Sequence, residues 1–368
     1  MFVVHFHVRT TEPGGLDDLV RLFVWRFVES KSHGTFALLF GAGFAIQLRR
    51  ATQAGRPFAM LYLRRLIVLA LFGFAAHAFF GFNVLLGYAT WAVPLLILRS
   101  WSTRALLLTA VLSMTSVSLY RLAAAELLVI TSGPAAAAAA DEAQRAEAAA
   151  VTTALRYAET QHHYTALVNA RLRQMAWFYS QPFFTMPGVT LALFIAGLLM
   201  VRHGIFENPR AHLHVCIALA ACGFVSWLTA NWLLPDVNFF GLVRDQWLTF
   251  TYVGAAILAL AHSPRLIVRL RLVANAGRMA LTNYLLQIAA LDFLFSGYGV
   301  GLHQIRPITG IAAAVTCFGA EVLLSTWWLR RFRFGPAEWV WRSLTYARLQ
   351  PMRRVGGSVQ AERVGESV

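Results

Sequence analysis

Nine apolar stretches separated by polar segments run along the chain, at about 33–48, 66–81, 82–98, 105–121, 181–201, 213–233, 246–262, 277–298 and 307–329. A helix needs about 20 mostly apolar residues to cross a hydrocarbon core of roughly 30 Å, and each stretch is at or near that length. The pattern predicts an all-α fold: a polytopic membrane helical bundle of about nine spans, forming a single membrane domain over residues 1–354. Residues 122–180 are too polar to be another span and predict a helical insertion. Its run PAAAAAADEAQRAEAAA, residues 134–150, is strongly helix-forming. The helical pattern continues to about Met175, with Leu155, Tyr157, Tyr164, Leu167 and Leu172 as scattered apolar contacts. A surface helix or helical hairpin is the plainer reading, and a substrate-gating element the sharper one. After the last span, Phe332–Leu349 mixes Trp339, Trp341, Leu344 and Tyr346 with Arg342 and Arg348, which fits an interfacial segment within 330–354. Residues 355–368 read as a disordered tail.

Composition supports this solvent: 58% of residues are hydrophobic and 13% charged, with a mean hydropathy of +0.57. The net charge of +15 would point to nucleic acid in a soluble chain. Here the excess arginine reads as topogenic, and no nucleic-acid partner is expected. Of the basic residues, 21 fall in one set of alternating loops, including 49–65, 265–278 and 330–363, against 11 in the other. The positive-inside rule therefore places the C-terminus in the cytoplasm and residues 122–180 outside; Lys31 as the one lysine and the long alanine runs associate the chain with a GC-rich bacterial genome, so the membrane is read as a bacterium's cytoplasmic one. Nine spans then put the N-terminus outside. The opening MFVVHFHV resembles the last turns of a membrane helix, so a first span upstream of Met1 is expected. Cys216, Cys222 and Cys317 all fall inside spans and give neither a disulfide framework nor metal spacing.

Ionisable groups in spans are expensive, about 2.5–3.5 kcal/mol at a helix centre, so each one is a candidate for function. His77 lies late in an outward-running span, Asn83 opens the return span, His33 opens a span on the same face, and Asp292 lies in the outer third of its helix. An imidazole with a nearby carboxylate is the minimum equipment for deprotonating a hydroxyl or amine. His77 or His33 is the candidate base and Asp292 its orienting acid. The plainer reading is that each residue hydrogen-bonds a neighbouring helix. At the other end, Asn283 and Gln287 share a helical face, with Thr282 beside them and Arg278 one turn below. They read as the lining of a polar path or as interhelical hydrogen bonds. Glu321, deep in the last span, needs a partner or a proton. The pairs His5/His7 and His212/His214 point to different sides of a helix, so no metal site is expected.

Five blocks carry a resemblance: SHGTFALLFGAGF (32–44), LRRLIVLALFGFAAHAFFGFNVLLGYA (63–89), AGRMALTNYLLQ (276–287), GYGVGL (297–302) and WLRRFRFGPAEWVWRSLTY (328–346). The chain resembles the YeiB-like bacterial membrane family, domain of unknown function 418, which is distantly similar to transmembrane acyltransferases. That likeness implies an acyl group taken from cytoplasmic acyl-CoA and delivered to an envelope glycan or lipid outside. Acyl-CoA would be the donor substrate, Arg278, Thr282, Asn283 and Gln287 its path, and membrane lipid a standing partner; no permanently bound cofactor is implied. Two departures stand out. The family's N-terminal span is absent, and Asn83 occupies the place of a family acid. An amide cannot act as a general base. A proton-coupled transporter or flippase, with Glu321 as the proton site, is the main alternative, and a non-catalytic assembly factor a third. Two related halves, expected of many transporters, are not visible.

Overall fold

The computed structural model describes residues 15–29, 31–185, 188–233, 246–302 and 305–354. The opening residues 1–8, the tail 355–368 and His303 lie outside them. Among the described residues the fold is all helix, with no β-strand. In chain order the helices are α1 (Leu16–Phe27), α2 (Lys31–Gln53), α3 (Phe58–Phe80), α4 (Leu85–Leu98), α5 (Thr103–Ser132), α6 (Pro134–Thr160) and α7 (Tyr164–Ser180). They continue with α8 (Val189–Arg202), α9 (Leu213–Leu233), α10 (Trp247–His262), α11 (Arg271–Arg278), α12 (Ala280–Phe295), α13 (Pro307–Arg331) and α14 (Pro336–Tyr346).

Each of the nine predicted spans contains a helix: α2 to α5, α8 to α10, α12 and α13. Of these, α3, α5, α9 and α13 are long and apolar enough to cross a membrane by themselves, while α4, α8, α10 and α12 are shorter apolar helices. The chain is a helical membrane bundle. Its lipid side is legible on α3, where Met60, Leu63, Ile67, Leu71 and Phe74 form one exposed stripe at three- and four-residue spacing. The opposite stripe, Tyr62, Leu66, Leu69, Gly73 and His77, is buried. Between membrane helices close backbone approach replaces the hydrophobic drive, and α2 meets α8 this way. A Cβ on Gly41 would overlap the Phe194 carbonyl, and one on Gly197 the Leu38 carbonyl.

Three elements differ from expectation. α3 starts at Phe58 rather than near 66, because Arg64 and Arg65 continue the helix instead of closing a loop. In the insertion α6 ends at Thr160 and α7 restarts at Tyr164, which is the helical hairpin of the plainer reading. α5 has 30 residues, or about 45 Å of helix, so its last turns run past the hydrocarbon core into that hairpin. The third is α1, a short amphipathic helix that the hydropathy pattern does not mark. The hairpin lies at one end of the bundle, with the C-terminal ends of α3 and α12. α14 lies at the other, where the Glu338 carboxylate accepts the Leu281 and Thr282 N–H groups at 2.7 and 3.1 Å. An anion at a helix N-terminus satisfies donors that have no intrahelical partner.

Candidate functional site

The turn after α3 fixes one wall of the site. Gly81 ends the helix at φ 100°, its N–H bonded to the His77 carbonyl at 3.1 Å, a conformation suited to glycine. Asn83 then joins the two helices it separates. Its Nδ2 donates to the Gly73 carbonyl at 2.9 Å, and its Oδ1 accepts the Leu85 N–H at 3.1 Å. Both ends of the amide are thereby held by backbone. A carboxylate here would keep the Leu85 bond but have no donor for Gly73, which gives the asparagine a local reason.

The second wall is α7, whose Tyr164, Leu167, Arg171, Gln174 and Phe178 recur at three- and four-residue intervals and so share a face. Arg171 is 1% exposed. Its guanidinium pairs with both Asp292 oxygens through Nη1 and Nη2 and also donates to the Phe79 carbonyl at 2.5 Å. Phe79 is in the last turn of α3, where carbonyls lack helical partners, and Tyr164 donates to the same oxygen at 2.9 Å. Asp292 accepts two further bonds, from Ser296 Oγ at 2.7 Å and the Tyr298 hydroxyl at 2.6 Å. Burial and the Asp292 hydrogen bond and charge push the Tyr298 phenol above its ordinary value, which keeps it a donor. The hairpin turn is fastened beside it by the Gly297 N–H on the Glu159 carbonyl, at 2.7 Å.

His77 lies between these walls. Its side chain is fully buried, and neither Nδ1 nor Nε2 makes a close, well-aligned hydrogen bond, Gln174 being the polar side chain the ring interacts with. Phe82 and Tyr179 border the ring at centroid distances of 5.8 and 6.2 Å. Gln174 lies beside it, and Arg171 is near enough for its charge to act on the ring. Gln174 Oε1, the Tyr179 hydroxyl and Arg171 Nε are also buried and make no close, well-aligned hydrogen bond. A neutral imidazole here can accept a proton from a hydroxyl presented to it, with amide and phenol groups at hand to orient the donor.

The four expected residues of this end therefore divide. His77 and Asp292 occupy one cluster, linked through Arg171. Asn83 borders it but is spent on backbone. His33 stands apart: its ring packs on Tyr88 at 5.3 Å and its carbonyl accepts the Tyr88 hydroxyl at 2.8 Å. No hydrogen bond, ion pair or ring contact joins it to His77 among the described residues. The expected ladder at the other end is interrupted at Met279, which separates α11 from α12. Arg278 is exposed on α11 and does not line the interior. Thr282 Oγ1 donates to Glu338 at 2.5 Å, Asn283 Nδ2 to Ser325 Oγ at 3.0 Å and Gln287 Nε2 to Glu321 at 2.8 Å. These three are interhelical hydrogen bonds. Of the polar side-chain atoms of these three, Gln287 Oε1 is buried without a partner. Among the described residues no group of three or more His, Cys, Asp or Glu is placed to hold a metal.

Residues 200–348 match the family described as "Protein of unknown function (DUF418)". The chain is 29% identical over 338 residues to "Uncharacterized protein YxaH" of Bacillus subtilis, covering 89% of this chain and 82% of that protein. It is 26% identical over 358 residues to "Uncharacterized 39.9 kDa protein in amylase 3'region" of Bacillus acidopullulyticus, covering 94% and 88%. A 105-residue stretch is 42% identical to "Uncharacterized protein YeiB" of Escherichia coli, covering 28% and 27%. No solved structure matches.

Proposed function

The chain belongs to the YeiB-like DUF418 family, and from that premise we propose that it is a membrane acyltransferase with His77 as the general base. The observation that carries this reading is the fully buried His77 ring, with no close, well-aligned hydrogen bond at either nitrogen and Gln174 and Tyr179 at its sides. In the proposed step a hydroxyl or amine of an envelope glycan or lipid gives its proton to a His77 nitrogen. The oxygen or nitrogen then attacks the thioester carbonyl of an acyl donor. The tetrahedral intermediate collapses, the thiolate leaves, and His77 returns the proton to it. Arg171 Nε and the Tyr179 hydroxyl are the nearby donors for the developing oxyanion. Asp292 acts through Arg171, which it neutralises and holds; it does not touch His77, so it is a positioning residue. The acceptor side is the extracytoplasmic face, in keeping with the arginine asymmetry.

A proton-coupled transporter rests on one observation, the Gln287–Glu321 bond within the bundle. Turnover of a labelled acyl thioester by purified protein, supplied with an envelope extract as acceptor, separates the two. His77→Ala should lower it at least about 100-fold, the usual share of a general base, while Glu321→Gln leaves it largely intact. Loss with Glu321→Gln and retention with His77→Ala favours the transporter.

A further inference from the structure

We propose that Tyr62, Arg65, Arg342 and Tyr346 form a binding site for a phosphate group at the α14 end of the bundle. The proposal is independent of acyl transfer. Arg65 lies two turns into α3, and its guanidinium stacks on Trp341 of α14, 3.8 Å from the ring centre. The Trp341 Nε1 donates to the Arg65 carbonyl at 3.0 Å, so helix, stack and hydrogen bond hold that guanidinium in place. Arg342, the next residue on α14, lies over Phe334 at 4.5 Å. Arg65 thus sits against the residue that precedes Arg342, while Tyr62 is one turn before Arg65 on α3 and Tyr346 one turn after Arg342 on α14.

Two like charges placed together repel unless an anion joins them. Among the described residues neither arginine has an ion pair, and Glu338, the one carboxylate of α14, is spent on the N-terminus of α12 and on Thr282. Tyr62 makes an independent second observation. It is 2% exposed, packed between Phe44 and Phe58, and its hydroxyl has no partner. The cluster therefore offers hydrogen-bond donors and positive charge with no built-in anion. Stacking an arginine on an aromatic face leaves its N–H edge free, and that planar edge matches phosphate oxygens two at a time. Arg342 and Tyr346 are exposed, so the cluster opens to the surface. A phosphate arrives there from an anionic lipid headgroup or from a soluble phosphate-bearing molecule.

Thermal unfolding of the full-length protein tests the site and separates the sources. One arm titrates inorganic pyrophosphate into nanodiscs of phosphatidylcholine, against sodium chloride at matched ionic strength. The other replaces part of the lipid with phosphatidylglycerol. A saturable rise in Tm is expected in at least one arm. Arg342→Gln should weaken its half-saturation about tenfold or more, the equivalent of one charge-assisted hydrogen bond. Tyr62→Phe, which removes one hydroxyl, should weaken it less and carries the test if Arg342→Gln does not fold. A rise with pyrophosphate supports the site with a soluble ligand; a rise with phosphatidylglycerol alone supports it with a headgroup. No saturable rise in either arm, or a rise unchanged in the folded variants, overturns the proposal.

Discussion

A guanidinium buried to 1% of its surface is tolerable only because a carboxylate and a carbonyl meet it. Arg171 spends two of its nitrogens on Asp292 and Phe79, and Asp292 is itself saturated by Ser296 and Tyr298. Removing one partner of such a pair strands a buried charge, at a cost of about 3–5 kcal/mol. Asp292→Asn is therefore expected to lower unfolding stability by about that amount. The paired change Arg171→Met/Asp292→Leu should recover most of it, and equal losses in the single and paired variants would count against the pairing. Asp292 was legible in the sequence as a costly intramembrane acid, and His77 as a costly base. Arg171 was not, because in a basic chain it counts as one more loop arginine. Its signal is the recurrence 164, 167, 171, 174 and 178, which marks a buried face. No local pattern names a partner 121 positions away. The spacing rule put Asn283 and Gln287 on one helical face with Thr282 beside them, but it could not tell a path from a seam of interhelical bonds.

Among the elements, hydropathy located the apolar helices because lipid exposure makes one whole stripe apolar. It missed what hydropathy does not measure. α1 has only 12 residues, too short for a span; Arg26 and Phe27 tie its last turn to Asn231 and Tyr252, and an acid ties its first turn to α13. Asp17 accepts Arg306 Nε at 2.9 Å and the Ile308 N–H at 3.1 Å, at the start of α13. Burial raises the Asp17 pKa, but the Arg306 hydrogen bond, the Ile308 N–H and the Arg306 charge together bring it below the ordinary value. A depressed carboxyl contributes stability above the unfolded-state value of about 3.9 and loses it as pH falls through the lower folded value. Hydrogen-exchange protection in α1, measured against the intrinsic exchange rate at each pH, should therefore fall below about pH 4, and Asp17→Asn should remove that loss. An unchanged acid profile in the variant would speak against the contact. The α2–α8 crossing is a packing matter instead. Gly197→Val has no room beside the Leu38 carbonyl and should cut the yield of folded protein in size-exclusion chromatography, whereas Gly43→Ala, which faces nothing closer than Gln47 at 3.9 Å, should not.

The whole molecule has two chemically different ends. One gathers His77, Gln174, Tyr179 and the Arg171–Asp292 pair under the α6–α7 hairpin. The other gathers α14, Arg65 and the unpaired arginines. The arginine asymmetry reads the second as cytoplasmic, so acyl transfer requires a donor entering there and a product appearing at the hairpin end. Inverted membrane vesicles, whose outer surface is the cytoplasmic face, test both parts together. Labelled acetyl-coenzyme A is added outside, and covalent label is measured on envelope material in the lumen, with wild-type protein and with His77→Ala at equal membrane abundance. Luminal label with the wild type, reduced at least about 100-fold in the variant, is the expected result. Luminal label that persists undiminished in His77→Ala, or no label with either, would contradict it.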